Sequence, residues 1–183
     1  GDYVFSDSLN HASIVDGCRL SRAQIAVFDH NDMASLESAL RITPESVDRP
    51  TRRLIVVDGV FSMDGDLAPL PQLAALAEKY GAILMIDEAH ATGTVGPGGK
   101  GVVADFGMEP RVPIIMGTLG KALGGYGAFV AGSRKLADFL INTSRSFIFS
   151  TALPPTVVAA AMAALDVLES EPALVERLQS NAK

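Results

Sequence analysis

RLIVVDGVFSMDGDLAPLPQLAALAEKYGAILMIDEAH, residues 53–90, holds a complete strand–helix–strand unit. Arg53–Asp58 is a β-branched apolar run bounded by charge, the pattern of a parallel strand buried on both faces. FSMDGD at 61–66 reads as a turn. Leu73–Tyr80 has helical spacing, and Gly81 offers a C-cap. Ala82–Asp87 (AILMID) is a second buried strand. Outward from this unit the alternation continues. Tyr3–Ser6 reads as a strand, Ala12–Cys18 as a helix and Gln24–Phe28 as a short strand. Asp32–Leu40 is a helix capped by Asn31 or Asp32, with Met33, Leu36 and Leu40 on one face. Arg41–Pro50 is polar with two prolines and predicts a surface loop. Downstream, Val112–Met116 and Gly127–Gly132 are a third and a fourth strand in the run that starts at Arg53. Ser133–Thr143 and Pro155–Glu169 are helices, and a last helix starts near Pro172. The expected fold class is therefore α/β, a mostly parallel sheet flanked by helices.

Composition narrows the function classes. The chain has 183 residues, 48% of them hydrophobic, enough for one sizeable core. A net charge of -6 argues against a nucleic-acid surface. No run of eighteen apolar residues is present, so no membrane span is expected. Cys18 is the only cysteine, which excludes a disulfide framework and a multi-cysteine zinc site. It reads as a small core residue, and cysteine usage fits a reducing, cytoplasmic compartment. Three dispersed histidines do not make a metal site. Both ends read as interior to a longer protein: the chain opens on GDYVFSD and stops at Gln179–Lys183 on a helix still running.

In a parallel sheet, ligands bind beyond the carboxyl ends of the strands. The polar residues ending apolar runs are Asp58, Asp87 and the Gly117–Thr118 pair; Ser62, His90 and Lys121 follow within a few residues. All are expected along one edge. Lys121 lies in GTLGKALGG, framed by Gly117, Gly120, Gly124 and Gly125, with no other charge between Arg111 and Arg134. Glycines permit close backbone approach around one amine; the alternative is a solvated surface lysine. A phosphate-cradling Walker loop fails, because Ile115 stands where its first glycine belongs and Ala122 follows the lysine. Without that loop, DEAH at 87–90 does not indicate a nucleotide-driven enzyme. Asp87 after AILMI is costly to bury unless paired. It can hold a pyridinium nitrogen protonated, or cap the next helix. A Schiff-base lysine with such a carboxylate is what a pyridoxal phosphate (PLP) enzyme requires. His90, three residues past Asp87, can face the same ligand. His11, just after the first strand, can stack on an aromatic ring. His30 reads as a surface residue. The hydroxyls of Ser62 and Thr118 can bind a cofactor phenolate or phosphate, or cap turns.

Five segments together resemble one family: SLNHASIVDGCRLS (8–21), VVDGVFSMDGDLAPL (56–70), MIDEAHATGTVGPGGKG (85–101), GTLGKALGGYGAFVAGS (117–133) and RSFIFSTALPP (145–155). They resemble the α-oxoamine synthases, PLP enzymes of fold type I, over nearly the whole chain. The resemblance implies a decarboxylating condensation of an amino acid with an acyl thioester carried on coenzyme A or a carrier protein. L-alanine with a pimeloyl thioester fits best, glycine with an acetyl thioester is the alternative, and a non-catalytic partner-binding homologue is the reading from a different class. It implies Lys121 as Schiff-base lysine and α-proton base, and Asp87 as pyridinium partner. His11 is implied as the stacking imidazole, and Ser62 and His90 as neighbours of the phenolic oxygen. Thr118 is implied as a phosphate ligand. Ser150 and Thr151 are implied to reach the neighbouring subunit's site in a homodimer. Arg145 receives no role. The resemblance places 1–170 in the central part of a large cofactor-binding domain and 171–183 at the start of the link to a C-terminal small domain outside the chain.

Overall fold

The computed structural model describes residues 1–44 and 50–182. Six strands form one sheet: β1 (Tyr3–Asp7), β2 (Gln24–Phe28), β3 (Arg53–Asp58), β4 (Ile83–Asp87), β5 (Ile114–Thr118) and β6 (Ala128–Gly132). Their order is β2-β1-β3-β4-β5-β6. The first five run parallel, and β6 pairs with β5 antiparallel. The expected mostly parallel sheet is thus what forms. The fourth run differs from β3 and β4 in being an exposed edge strand, with Val130 47% accessible. A nine-residue link from Thr118 to Ala128 is too short for a crossover helix, so the chain must return antiparallel.

Helices follow the strands: α1 (Ala12–Leu20), α2 (Met33–Arg41), α3 (Leu70–Lys79), the short α4 (Val102–Asp105), α5 (Arg134–Thr143), the short α6 (Arg145–Ile148), α7 (Pro155–Ser170) and α8 (Ala173–Asn181). Of the two candidate caps for α2, Asp32 does the work, accepting from the amides of Ala34 and Ser35. Helix α3 begins three residues before the sequence-based start because Pro71 sits in its first turn, where a missing N–H costs nothing. The expected 41–50 loop lies in part outside the described residues. No helix among the described residues is long and apolar enough to cross a membrane.

Side chains alternate across a strand with period two, so each strand feeds both faces of the sheet. Phe5, Ile55, Val57, Leu84 and Ile86 point to the α2–α3 face. They join Phe28, Phe61, Leu36, Leu40 and Leu73 in the main core. Burying each of its phenylalanines is worth roughly 2–3 kcal/mol. Val4 and Val56 point to the opposite face and pack with Cys18 of α1. The same parity carries past the apolar residues. Asp58 follows Val56, and Asp87 follows Met85, so both carboxylates emerge on the α1 face. Asp7 and Glu88 fall on the other.

Candidate active site

Register brings the first two groups together. Asp58 and Asp87 are paired positions at the carboxyl ends of β3 and β4, with side chains on one face and 4% and 3% accessible. Burial, and then the Asp87 carboxylate, push Asp58 up to about 6. The His11 amide and the charges of His11 and Lys121 pull the other way. The Asp87 Oδ1 accepts the Ala89 amide at 2.8 Å, the aspartate's first step into the following turn. Its Oδ2 takes no hydrogen bond from the described residues. The side chain lines a cavity of about 330 Å³ under α1, shared with Ser13 and Ser21 and with apolar groups such as Val56, Met85 and Met116. A buried carboxylate lining a mostly apolar cleft fits a protonated aromatic nitrogen.

His11 is brought in by its neighbour. Asn10 is buried and stitches β1 to β3: its Nδ2 donates to the Val56 carbonyl at 2.8 Å, and its Oδ1 accepts the Asp58 amide at 2.9 Å. The His11 amide then donates to Asp58 Oδ2 at 2.7 Å. The His11 ring caps α1, Nδ1 accepting the Ser13 amide at 3.2 Å. That acceptor role leaves the proton of the neutral ring on Nε2. His90 is half-buried and directly follows the Asp87–Ala89 turn. Burial, and then the positive charge of Lys121, hold it below the usual histidine range.

Lys121 is exposed on the loop from β5 to β6. That loop is closed by backbone bonds from Leu119 to Gly127 at 2.9 Å, Gly125 to Leu119 at 2.7 Å and Gly124 to Lys121 at 2.9 Å. Two glycines are required sterically. A Cβ on Gly117 would lie 2.4 Å from the Phe129 ring. A Cβ on Gly93, at φ +80°, would lie 2.6 Å from Ala122 Cβ, so the loop after β4 seats directly on the lysine loop. His11, Asp58, Asp87, His90 and Lys121 thus form one electrostatic group at one edge of the sheet.

The four hydroxyl-bearing candidates have these surroundings. Thr118 Oγ1 donates to the Gly127 carbonyl and accepts the Gly120 amide, both at 3.1 Å. Of its two sequence-based readings, the turn-capping one is what this geometry displays. Ser62 is exposed on the loop after β3. Thr151 is exposed and has no side-chain hydrogen bond among the described residues, while Ser150 Oγ reaches only the Phe147 carbonyl at 3.4 Å. Their segment approaches the lysine loop through Leu153, 3.0 Å from a Cβ built on Gly127.

The sequence reading named Asp58 without giving it a part, although it ends an apolar run just as Asp87 does. It missed Asn10, whose contacts are long-range. It also missed Glu88, which is 2% accessible on the opposite face. Each Glu88 oxygen accepts one amide from α4: Val102 at 2.9 Å and Val103 at 2.7 Å. Burial raises its carboxyl above the ordinary range. His30 is a correction: it is a half-buried bridge between two carboxylates rather than a surface residue.

The chain is 59% identical over 170 residues to 8-amino-7-oxononanoate synthase of Geobacter sulfurreducens, covering 93% of this chain and 42% of the relative. It is 49% identical over 183 residues to the enzyme of that name from Thermoanaerobacter pseudethanolicus, covering 100% and 46%. The chain therefore spans under half the length of the curated relatives it matches. Among solved structures, serine palmitoyltransferase with PLP superposes at TM-score 0.93, with 39% identity over 100% of this chain and 45% of the other. The 8-amino-7-oxononanoate synthase of Francisella tularensis superposes at 0.82, with 34% identity over 98% and 50%. The family profile described as aminotransferase class I and II matches residues 1–183. The chain belongs to the aminotransferase class I and II family, and its relatives within that family are the α-oxoamine synthases that the five sequence segments resemble.

Proposed function

We propose that the full-length protein is a PLP-dependent acyltransferase that condenses an amino acid with an acyl thioester and releases CO2. The observation carrying this is the single electrostatic group of Lys121, Asp87, His11 and His90 beside a mostly apolar cleft that Asp87 lines. L-alanine and a pimeloyl thioester are the favoured pair, supported by 59% identity to 8-amino-7-oxononanoate synthase against 39% to serine palmitoyltransferase.

When bound, PLP supplies an electron sink for the carbanion formed at the amino acid's Cα. The residues at the sheet edge fit that group. Lys121 Nζ would hold its carbonyl carbon, and the Asp87 carboxylate would keep its ring nitrogen protonated. The His11 ring would lie against its face. His90 and Ser62 would approach its phenolic oxygen, and Thr118 would approach its phosphate while bracing the lysine loop. When not holding the cofactor, the Lys121 amine would take the Cα proton. Burial, and then the positive charge of Lys121, favour a neutral His90, and that imidazole would donate a hydrogen bond without adding charge. Thr151 would belong to the neighbouring site of a homodimer. Residues 1–170 would be the central part of the cofactor domain, and 171–183 the start of a link to a small domain.

The test is the full-length protein with PLP. Borohydride reduction should fix the cofactor on the peptide containing Lys121. Lys121→Ala should lower condensation by about 10²–10⁴-fold, as expected for loss of a proton-transfer group. A panel of alanine, glycine and serine against pimeloyl, acetyl, succinyl and palmitoyl thioesters identifies the pair. Label on another lysine, or turnover unchanged in the variant, overturns the assignment.

A further inference from the structure

On the α2–α3 face of the sheet, away from the lysine, His30 lies between two carboxylates. Its Nδ1 is 3.1 Å from Asp7 Oδ1 at the end of β1, and its Nε2 is 2.9 Å from Asp66 Oδ2. A carboxylate only accepts, and a neutral imidazole carries one N–H, so a neutral His30 leaves one contact with two acceptors facing each other. With both carboxylates ionised, only the doubly protonated ring satisfies both; Asn31 Nδ2 also lies 3.4 Å from Nε2, at the long end of hydrogen-bond range. The surroundings are built for that state. Asp7 is fully buried and also accepts the amides of Leu9 and Asn31, both at 2.9 Å. Asn31, in the left-handed region at φ +52°, donates from Nδ2 to Asp66 Oδ2 at 2.7 Å. The edge of the Phe61 ring meets the imidazole with centroids 4.4 Å apart.

The far partner, Asp66, belongs to the loop Gly59–Ala68. A bridge between Val60 and Leu67 closes this loop. So do hydrogen bonds from Phe61 to Asp66 at 3.1 Å and from Ala68 to Gly59 at 3.1 Å. Ser62 follows Phe61 on its tip. We propose that His30 is a positioning residue: as an imidazolium it ties Asp66 to Asp7, and so fixes the Gly59–Ala68 loop and holds Ser62 at the carboxyl edge of the sheet. The consequence for cofactor binding rests on the proposed role of Ser62; the tie itself does not.

Asp7 from β1 and Asp66 from the loop are the charged groups acting on the ring among the described residues. Burial opposes the charge, but the hydrogen bonds and charges of those carboxylates outweigh it, and His30 stays protonated above the usual histidine range. The tie is therefore complete in mildly acidic solution and is lost as pH rises through the raised value.

The experiment is amide hydrogen exchange on the full-length protein without cofactor, between about pH 5.5 and 8.5. In the wild type, protection of Phe61 and Ala68, corrected for intrinsic rates, should fall with rising pH by about tenfold. In His30→Gln it should be low and flat, while β3 amides stay protected. Asp66→Asn, at a partly exposed site, is the milder second variant and should also flatten the profile. PLP titration should show affinity lowered about tenfold in His30→Gln. Equal protection and equal pH dependence in wild type and both variants overturn the tie. A flattened exchange profile with unchanged PLP affinity keeps the tie and overturns the link to Ser62.

Discussion

Asp58 shows how one side chain reports on its neighbours. It is a buried acid beside a second acid, and its carboxyl is pushed up to about 6 from a free value of 3.8. The fold thus prefers it protonated, and stability falls as pH rises from near the free value through the folded value, then levels. Asp58→Asn keeps an acceptor for the His11 amide and removes the titration. Measured by denaturant unfolding, the variant should gain on wild type between pH 4 and pH 7, on the order of 1 kcal/mol after solvent screening. The same difference at both pH values would refute the assignment. At this scale the sequence was only partly legible. Lys121 and Asp87 stood out because a charge in a glycine frame, or after an apolar run, needs a reason. Asn10 did not, because a buried asparagine is explained only by the strand it bonds across the sheet.

The turn after β4 shows what an element adds. Asp87 and Glu88 are adjacent in sequence, yet strand parity sends one carboxylate to the cleft and the other to α4. Glu88 ties α4 to the end of β4, and Gly101, at φ +100°, has no space for a Cβ, which would lie 2.7 Å from the Glu88 carboxyl. Glu88→Ala strands two buried amides and should cost about 2–4 kcal/mol in denaturant unfolding. Glu88→Gln should cost less, since one acceptor remains. A loss under about 0.5 kcal/mol in the alanine variant would mean that the tie carries no stability. DEAH as text suggests one motif with one role; as structure it sends two carboxylates to opposite faces. Strands and long helices were readable from periodicity. The short helices α4 and α6 were not, because four residues are too few for a period to show.

At the scale of the molecule, apolar surface is concentrated on the last third of the chain. Phe139, Phe147, Phe149 and Met162 are 57%, 64%, 73% and 63% accessible. Arg145 stacks over Phe149 with 5.0 Å to the ring centre. For the proposed homodimer, a face of this kind is the natural contact. Phe149→Glu in the full-length protein should weaken self-association at least about tenfold, read by sedimentation equilibrium. An unchanged association constant would place the contact elsewhere.

The sequence by itself determined the alternation of strands and helices and the mostly parallel sheet, and singled out Lys121 and Asp87 as candidates, because periodicity and the cost of buried charge are local properties. The tertiary structure decided which carboxylates share a face and that β6 returns as an exposed edge. It also showed Thr118 bracing its own loop and made His30 a bridge between Asp7 and Asp66. Each of these depends on register and on contacts between residues far apart in the chain, which one strand's pattern does not encode.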